Sequence, residues 1–206
     1  MLAISTATKK AYIGIDYKGK KFYSEINADC KQSENILKEI DNLLEKNNLN
    51  FKDIGNIAVV VGPGSFTGIR IGVALVKGLC AGDSNHSVYP ISTLDLMSRV
   101  YQKTKKKSEY YCVMNALSNR IFYAKYDKNG KKISEEEMIG LDEANIDIHK
   151  MVFLCEEFKN LDGGVNLDAE TLLDYALELE RTQKGIDAKE LKPVYIRKSQ
   201  AEENIQ

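Results

Sequence analysis

Metal-ligating residues are scarce and scattered in this sequence. Its 206 residues include four cysteines, Cys30, Cys80, Cys112 and Cys155, with no CxxC pair, and two isolated histidines, His86 and His149. Zinc needs clustered ligands, so no metal site is expected on this chain, and the dispersed thiols read as reduced and structural. An excess of one charge is also lacking: 29 Lys plus Arg against 30 Asp plus Glu leave a net charge of −1. A polyanion meets no global attractive field, so any nucleic-acid role must be local or delegated to a partner. No apolar run approaches the ~20 residues that span a bilayer. No opening segment combines a charged start, an apolar middle and a small-residue cleavage site. A cytoplasmic protein without a membrane role is expected.

A hydrophobic share of 43% and a charged share of 29% suit a globular protein that forms a core without staples. At ~150 residues per domain, the length fits one large domain or two small ones. Met1 to Ile4, Ala11 to Tyr17 and Phe22 to Ile26, with a turn at Lys18-Gly19-Lys20, read as an antiparallel meander. Ser33 stands where a helix cap would, and Ile36, Leu37, Ile40, Leu43 and Leu44 make one apolar stripe ending near Asn47-Asn48. Ile57 to Val61 lacks polar alternation, as expected of a central strand covered on both faces. A helical pattern then runs from about Ile69 to Ala81, apolar nearly all round apart from Arg70 and Lys77, which share a face. A short strand at Ser87 to Tyr89 follows, and then a helix capped by Ser92 or Thr93 and carrying Leu94, Leu96, Met97 and Val100.

The basic stretch Lys103 to Lys107 reads as a solvated boundary between two lobes, 1–102 and 103–206. Beyond it, Tyr110 to Met114 and Ile121 to Tyr126 form paired strands around a turn at Leu117-Ser118-Asn119. Lys132-Ile133-Ser134 is a third candidate strand after the hairpin signal Asn129-Gly130. Met151 to Cys155 reads as a buried strand, and Asp168 to Leu179 as a helix with Leu172, Leu173, Ala176 and Leu179 on one face. The second half loosely repeats the first, as meander, helix, strand, helix.

One segment carries more specific information. Gly62, Pro63, Gly64, Ser65, Phe66, Thr67 and Gly68 link a buried strand to a helix that continues through Arg70 and Gly72. In that context backbone N–H groups and a helix dipole can hold an anion. A P-loop nevertheless needs a lysine after its last glycine, and the dinucleotide fingerprint needs one residue fewer before it. The other reading is structural: Gly62 and Gly64 form a tight turn, Pro63 stiffens it, Ser65 or Thr67 caps the helix, and Gly68 and Gly72 allow close packing.

The run from Gly62 to Gly72 resembles the signature of the bacterial TsaB (YeaZ) family. Leu2-Ala3-Ile4-Ser5-Thr6-Ala7-Thr8, Ser33-Glu34-Asn35-Ile36-Leu37, Ile91-Ser92-Thr93-Leu94 and Lys192-Pro193-Val194-Tyr195-Ile196-Arg197 support the resemblance, which is densest over the first ~100 residues. It implies an α/β fold of the actin, Hsp70 and sugar-kinase type, with two lobes on mixed sheets and a degenerate active site. It also implies work in making N6-threonylcarbamoyladenosine, the modified base beside the anticodon of tRNAs reading codons that begin with A. In that pathway a separate synthase makes threonylcarbamoyl-adenylate, and the metal-bearing paralogue TsaD transfers the carbamoyl group to tRNA. TsaB-like proteins are implied to be the non-catalytic partner of TsaD, with the ATPase TsaE joining the assembly, so that ATP and metal belong to partner subunits. Kinase-like lobes open with an aspartate on the first strand, where this chain has Ser5; the histidine frequent before Ser-Glu-Asn is Gln32 here. Neither catalytic nor cofactor-binding residues are therefore expected.

The first two helices are expected to carry the partner interface, through Ile36, Ile40, Leu44, Ile69, Val73 and Lys77. The alternative for the second helix is complete burial in the core. A homodimer through the same surface is possible without TsaD. The rival functions are a stand-alone ATPase using the Gly62–Gly68 turn, a serine peptidase pairing Ser65 with a histidine, and a free-standing tRNA-binding module.

Overall fold

The computed structural model describes residues 1–27, 32–82, 86–104, 109–158 and 163–196, without the side chains of residues 32, 33 and 104. Cys30, the Ser33 cap, the lysines at 105–107 and Arg197 lie outside what is described. The chain divides into two compact units, Met1–Leu96 with Leu167–Pro193 and Met97–Asn166 with Val194–Gln206.

In the first unit, strands β1 (Leu2–Ser5), β2 (Ala11–Tyr17) and β3 (Lys20–Ile26) form the expected meander. Lys18 and Gly19 turn the chain with φ of 52° and 82°, the left-handed pair that matches a hairpin's twist. Helix α1 (Gln32–Lys46) leads to β4 (Ile57–Gly62), helix α2 (Phe66–Leu79) and β5 (Val88–Ser92). β1 pairs in parallel with β4, and β4 with β5, giving the sheet order β3-β2-β1-β4-β5.

Every residue of β4 is buried because helices cover both faces of the sheet. Ile4 pairs with Val59, which lies 3.4 Å from where a Gly72 Cβ would stand on α2. Ala3 pairs with Gly14, whose Cβ position lies 2.8 Å from Leu173 Cβ. Leu173 belongs to helix α4 (Ala169–Thr182), which starts on Asp168 as its N-cap, the carboxylate accepting the Thr171 N–H at 2.6 Å.

The position of α4 differs from the division expected at 102/103. The spacing of Leu172, Leu173, Ala176 and Leu179 locates the helix, but its apolar face closes over the first sheet. Only a glycine at position 14 lets it approach so closely. The first unit is therefore discontinuous in sequence, and its other boundary falls inside helix α3 (Thr93–Thr104).

The second unit holds β6 (Glu109–Asn115), β7 (Arg120–Asp127), β8 (Glu137–Gly140), β9 (Met151–Leu154) and β10 (Gly164–Val165), ordered β10-β9-β6-β7-β8. Counted from its own first strand, each sheet runs third, second, first, fourth, fifth, so the recurrence read in the sequence is real for the strands. It fails for the crossovers: α1 lies between β3 and β4, whereas only the short helical turn Ile148–Lys150 precedes β9. The third strand is also displaced from Lys132–Ser134. Lys132 makes a single bridge to Tyr126, after which Ser134 Oγ replaces a backbone acceptor for the Lys125 N–H at 2.9 Å, and pairing resumes at Glu137. Val113, Ile121, Met151 and Phe153 form the core on one face of this sheet, with Ile139, Ala144 and Ile146 packed against it.

Candidate functional site

The glycine-rich turn joins β4 to α2. Gly62 and Gly64 adopt φ of 128° and 153°, a region closed to residues with a Cβ, and the Gly62-Pro63 peptide bond is cis. Ser65, rather than Thr67, is the cap: its Oγ accepts the Gly68 N–H at 3.2 Å, so α2 begins at Phe66, three residues before the apolar pattern does.

The remaining contacts tie the turn to the chain just after β1. The Ser65 N–H donates to Ala7 O at 2.8 Å, and Thr6 Oγ1 donates to Gly68 O at 2.6 Å. From the other side, Thr93 Oγ1 donates to Pro63 O at 2.5 Å. A Cβ at Gly64 would collide with Ala7 O, one at Gly68 with Thr6 O, and one at Gly72 would stand 2.6 Å from Thr6 Oγ1. The glycines thus exist to admit the chain's own Thr6-Ala7 backbone. Sequence reasoning missed Thr6, Ala7 and Thr93 as partners of the turn, although the run Ser5-Thr6-Ala7-Thr8 was itself a signal.

The Ala7 and Thr6 carbonyl oxygens pack against Gly64 and Gly68, and the Ser65 and Gly68 N–H groups are committed to Ala7 O and Ser65 Oγ, which takes two donors of the turn away from an anion. Ser5, at the end of β1, is fully buried, and its hydroxyl has no hydrogen-bond partner among the described residues. Among the described residues, no group of three or more His, Cys, Asp or Glu side chains could hold a metal ion. The Gln32 side chain lies outside what is described.

The expected interface side chains need correction. Ile36, Ile40, Leu44, Ile69 and Val73 are 1–5% exposed, because α1 and α2 turn those stripes onto their own sheet. Of that set, only Lys77 is exposed. The helix is not fully buried either: Phe66, Thr67, Arg70, Ala74, Lys77 and Gly78 form an outward stripe at helical spacing. Arg70 stays solvated while its guanidinium lies 3.9 Å from the centre of the Phe66 ring, so a cation on this helix needs no burial. A Cβ added at Gly78 would meet nothing within 4 Å. On α1 the outward apolar residue is Leu37, 46% exposed. No helix among the described residues is long and apolar enough to cross a membrane.

Two mixed sheets with the same strand order, the first covered by helices on both faces, define a duplicated α/β architecture. Two solved Pseudomonas aeruginosa structures share this fold. One, titled YeaZ, superposes with a TM-score of 0.77 at 20% identity over 94% of this chain and 98% of that one. The other, described as an uncharacterized protein with similarity to peptidase YEAZ, gives 0.80 at 20% identity over 95% and 98%.

A family model described as TsaD, tRNA N6-adenosine threonylcarbamoyltransferase, matches residues 27–187, and the chain belongs to that family, on its TsaB (YeaZ) side. It is 26% identical to the Escherichia coli tRNA threonylcarbamoyladenosine biosynthesis protein TsaB, over 98% of this chain and 96% of that protein. It is 28% identical to the Haemophilus influenzae protein of the same name over 60% of this chain, and there the match spans about half of the relative's length, 52%.

Proposed function

We propose that this chain is a non-catalytic subunit in the formation of N6-threonylcarbamoyladenosine on tRNA, pairing with a TsaD-type transferase and supporting recruitment of TsaE. The observation that carries the reading is the filled turn. A family whose model bears a transferase's name is here joined to a turn whose Ser65 and Gly68 N–H groups are committed within the chain, and to a neutral Ser5 in place of a carboxylate. Nucleotide and metal then belong to the partner subunits. The near-neutral charge fits tRNA contact made mainly through the partner.

Pairing uses the outward stripe of α2, where Phe66 supplies apolar area and Ala74 and Gly78 permit a second helix to lie close. Without TsaD, a second copy can occupy the same face. The peptidase reading has no support in the geometry, since Ser65 Oγ caps α2 and His86 Nδ1 lies 2.9 Å from Gly55 O.

Reconstituted tRNA modification with and without this chain tests the reading, and an unchanged yield removes the chain from the pathway. Ala74→Asp, on an exposed helical position, should abolish co-purification with TsaD while leaving the unfolding free energy within ~0.5 kcal/mol of wild type. Unchanged binding sinks the α2 surface. Micromolar binding of magnesium and ATP to the isolated chain would instead favour the stand-alone ATPase.

A further inference from the structure

The β6–β7 hairpin closes on three successive residues in the left-handed region, Leu117, Ser118 and Asn119, with φ of 63°, 51° and 57° and no glycine among them. Ser118 and Asn119 are the central pair of a tight turn in which the Arg120 N–H donates to Leu117 O at 3.0 Å, so their conformation follows from hairpin twist. Leu117 lies outside that pair. A leucine there is a steric outlier.

Asn115 and Asn119 fasten the tip through four further bonds. Asn115 Oδ1 accepts the Leu117 N–H at 2.8 Å, and the Leu141 N–H donates to Asn119 O at 2.8 Å. Asn119 Nδ2 donates to Asp142 Oδ2 at 2.7 Å, and Glu157 Oε2 accepts the Asn115 N–H at 3.0 Å. This scaffold presents Leu117 at 70% exposure, the highest of any exposed large hydrophobic side chain among the described residues, with Leu141, 41% exposed, on the adjoining turn. Asp142 and Glu157 accept bonds from Asn119 and Asn115 at the tip, and Glu143 lies against Gly140, the strand partner of Arg120. Strain kept in an exposed turn marks a functional element when the surrounding structure over-determines it.

We propose that the hairpin tip is a docking knob for a protein partner, one that offers an apolar pocket for Leu117 and Leu141 rimmed by lysine and arginine. The three carboxylates disfavour a nucleic acid at this point. The knob stands on its own geometry; only the choice of proteins to test rests on the function proposed above.

Leu117→Asn removes the apolar side chain but suits a left-handed residue, and Leu117→Gly serves as a second variant of the same kind. Both are titrated calorimetrically, beside wild type, against each purified protein component of the same organism's threonylcarbamoyladenosine machinery, at about 50 mM and about 500 mM salt. At least one component should lose tenfold or more in affinity with both variants. Its binding to wild type should weaken with salt, and both variants should unfold at or above the wild-type temperature. Affinities within twofold of wild type for every component overturn the knob. Ala74→Asp, run in parallel, separates the readings: if it leaves TsaD binding intact while Leu117→Asn weakens a component, the α2 surface fails and the knob stands.

Discussion

Ser5 is a hydroxyl sealed into the first unit with nothing to bond. Leaving such a group unpaired costs about 1–3 kcal/mol. Ser5→Ala should therefore raise stability by about 1 kcal/mol, read as a higher urea midpoint at constant slope, and a loss of that size would show that the hydroxyl has a partner in solution. Ser5→Asp should destabilise strongly, since a carboxylate would be buried there without a counter-charge. The identity of this residue was legible in the sequence, but its burial was not. The glycines behave likewise. Their spacing announced a turn, whereas the need for Gly68 arises from Thr6 O, a backbone atom 62 residues away that no local pattern encodes.

Among the elements, legibility followed the strength of local periodicity. The helices α1 and α4 could be placed from their stripes, because burial on one sheet imposes the 3.6-residue period. Which side of α2 faces out could not be read, since a helix apolar nearly all round has no polar stripe to mark solvent, and Ile69 and Val73 were assigned to a partner when they belong to the core. β10 escaped because its two residues are too few for alternation to show, and β8 because its four residues are exposed or half-buried and form no apolar run like those of β1 and β9. The turn after β7 has its own switch. The carboxyl of Asp127 is held below the usual carboxylate range, chiefly by the Lys131 N–H, with the Asn129 N–H adding to the effect. Its folded pKa lies under the ordinary 3.8, so the ionised form favours the folded turn. That support is present above about pH 4 and is lost as pH falls through the folded value. Amide protection factors at Lys131 and Asn129, with the intrinsic pH dependence of exchange divided out, should fall over that window, and Asp127→Asn should make them independent of pH. Protection factors that are flat with pH in the wild type count against the assignment.

At the scale of the whole molecule, the two sheets repeat one strand order, but the chain does not divide where its charge run suggests. Lys103 to Lys107 marks a change in composition, whereas a compact unit is defined by which surfaces cover one another. The Ala3 and Gly14 face of the first sheet is closed by α4, drawn from residues 169–182. Its buried Leu172, Leu173 and Leu179 contribute roughly 2 kcal/mol each, together a large share of the 5–15 kcal/mol typical of a folded protein. A fragment of residues 1–102 should therefore lack a cooperative unfolding transition and bind hydrophobic dye. Adding back α4, as residues 167–193 joined to residues 1–96 through a flexible linker, should restore dispersed amide spectra and a single transition. If residues 1–102 alone gave that spectrum and transition, the division at 102/103 would be correct and α4 a dispensable cover.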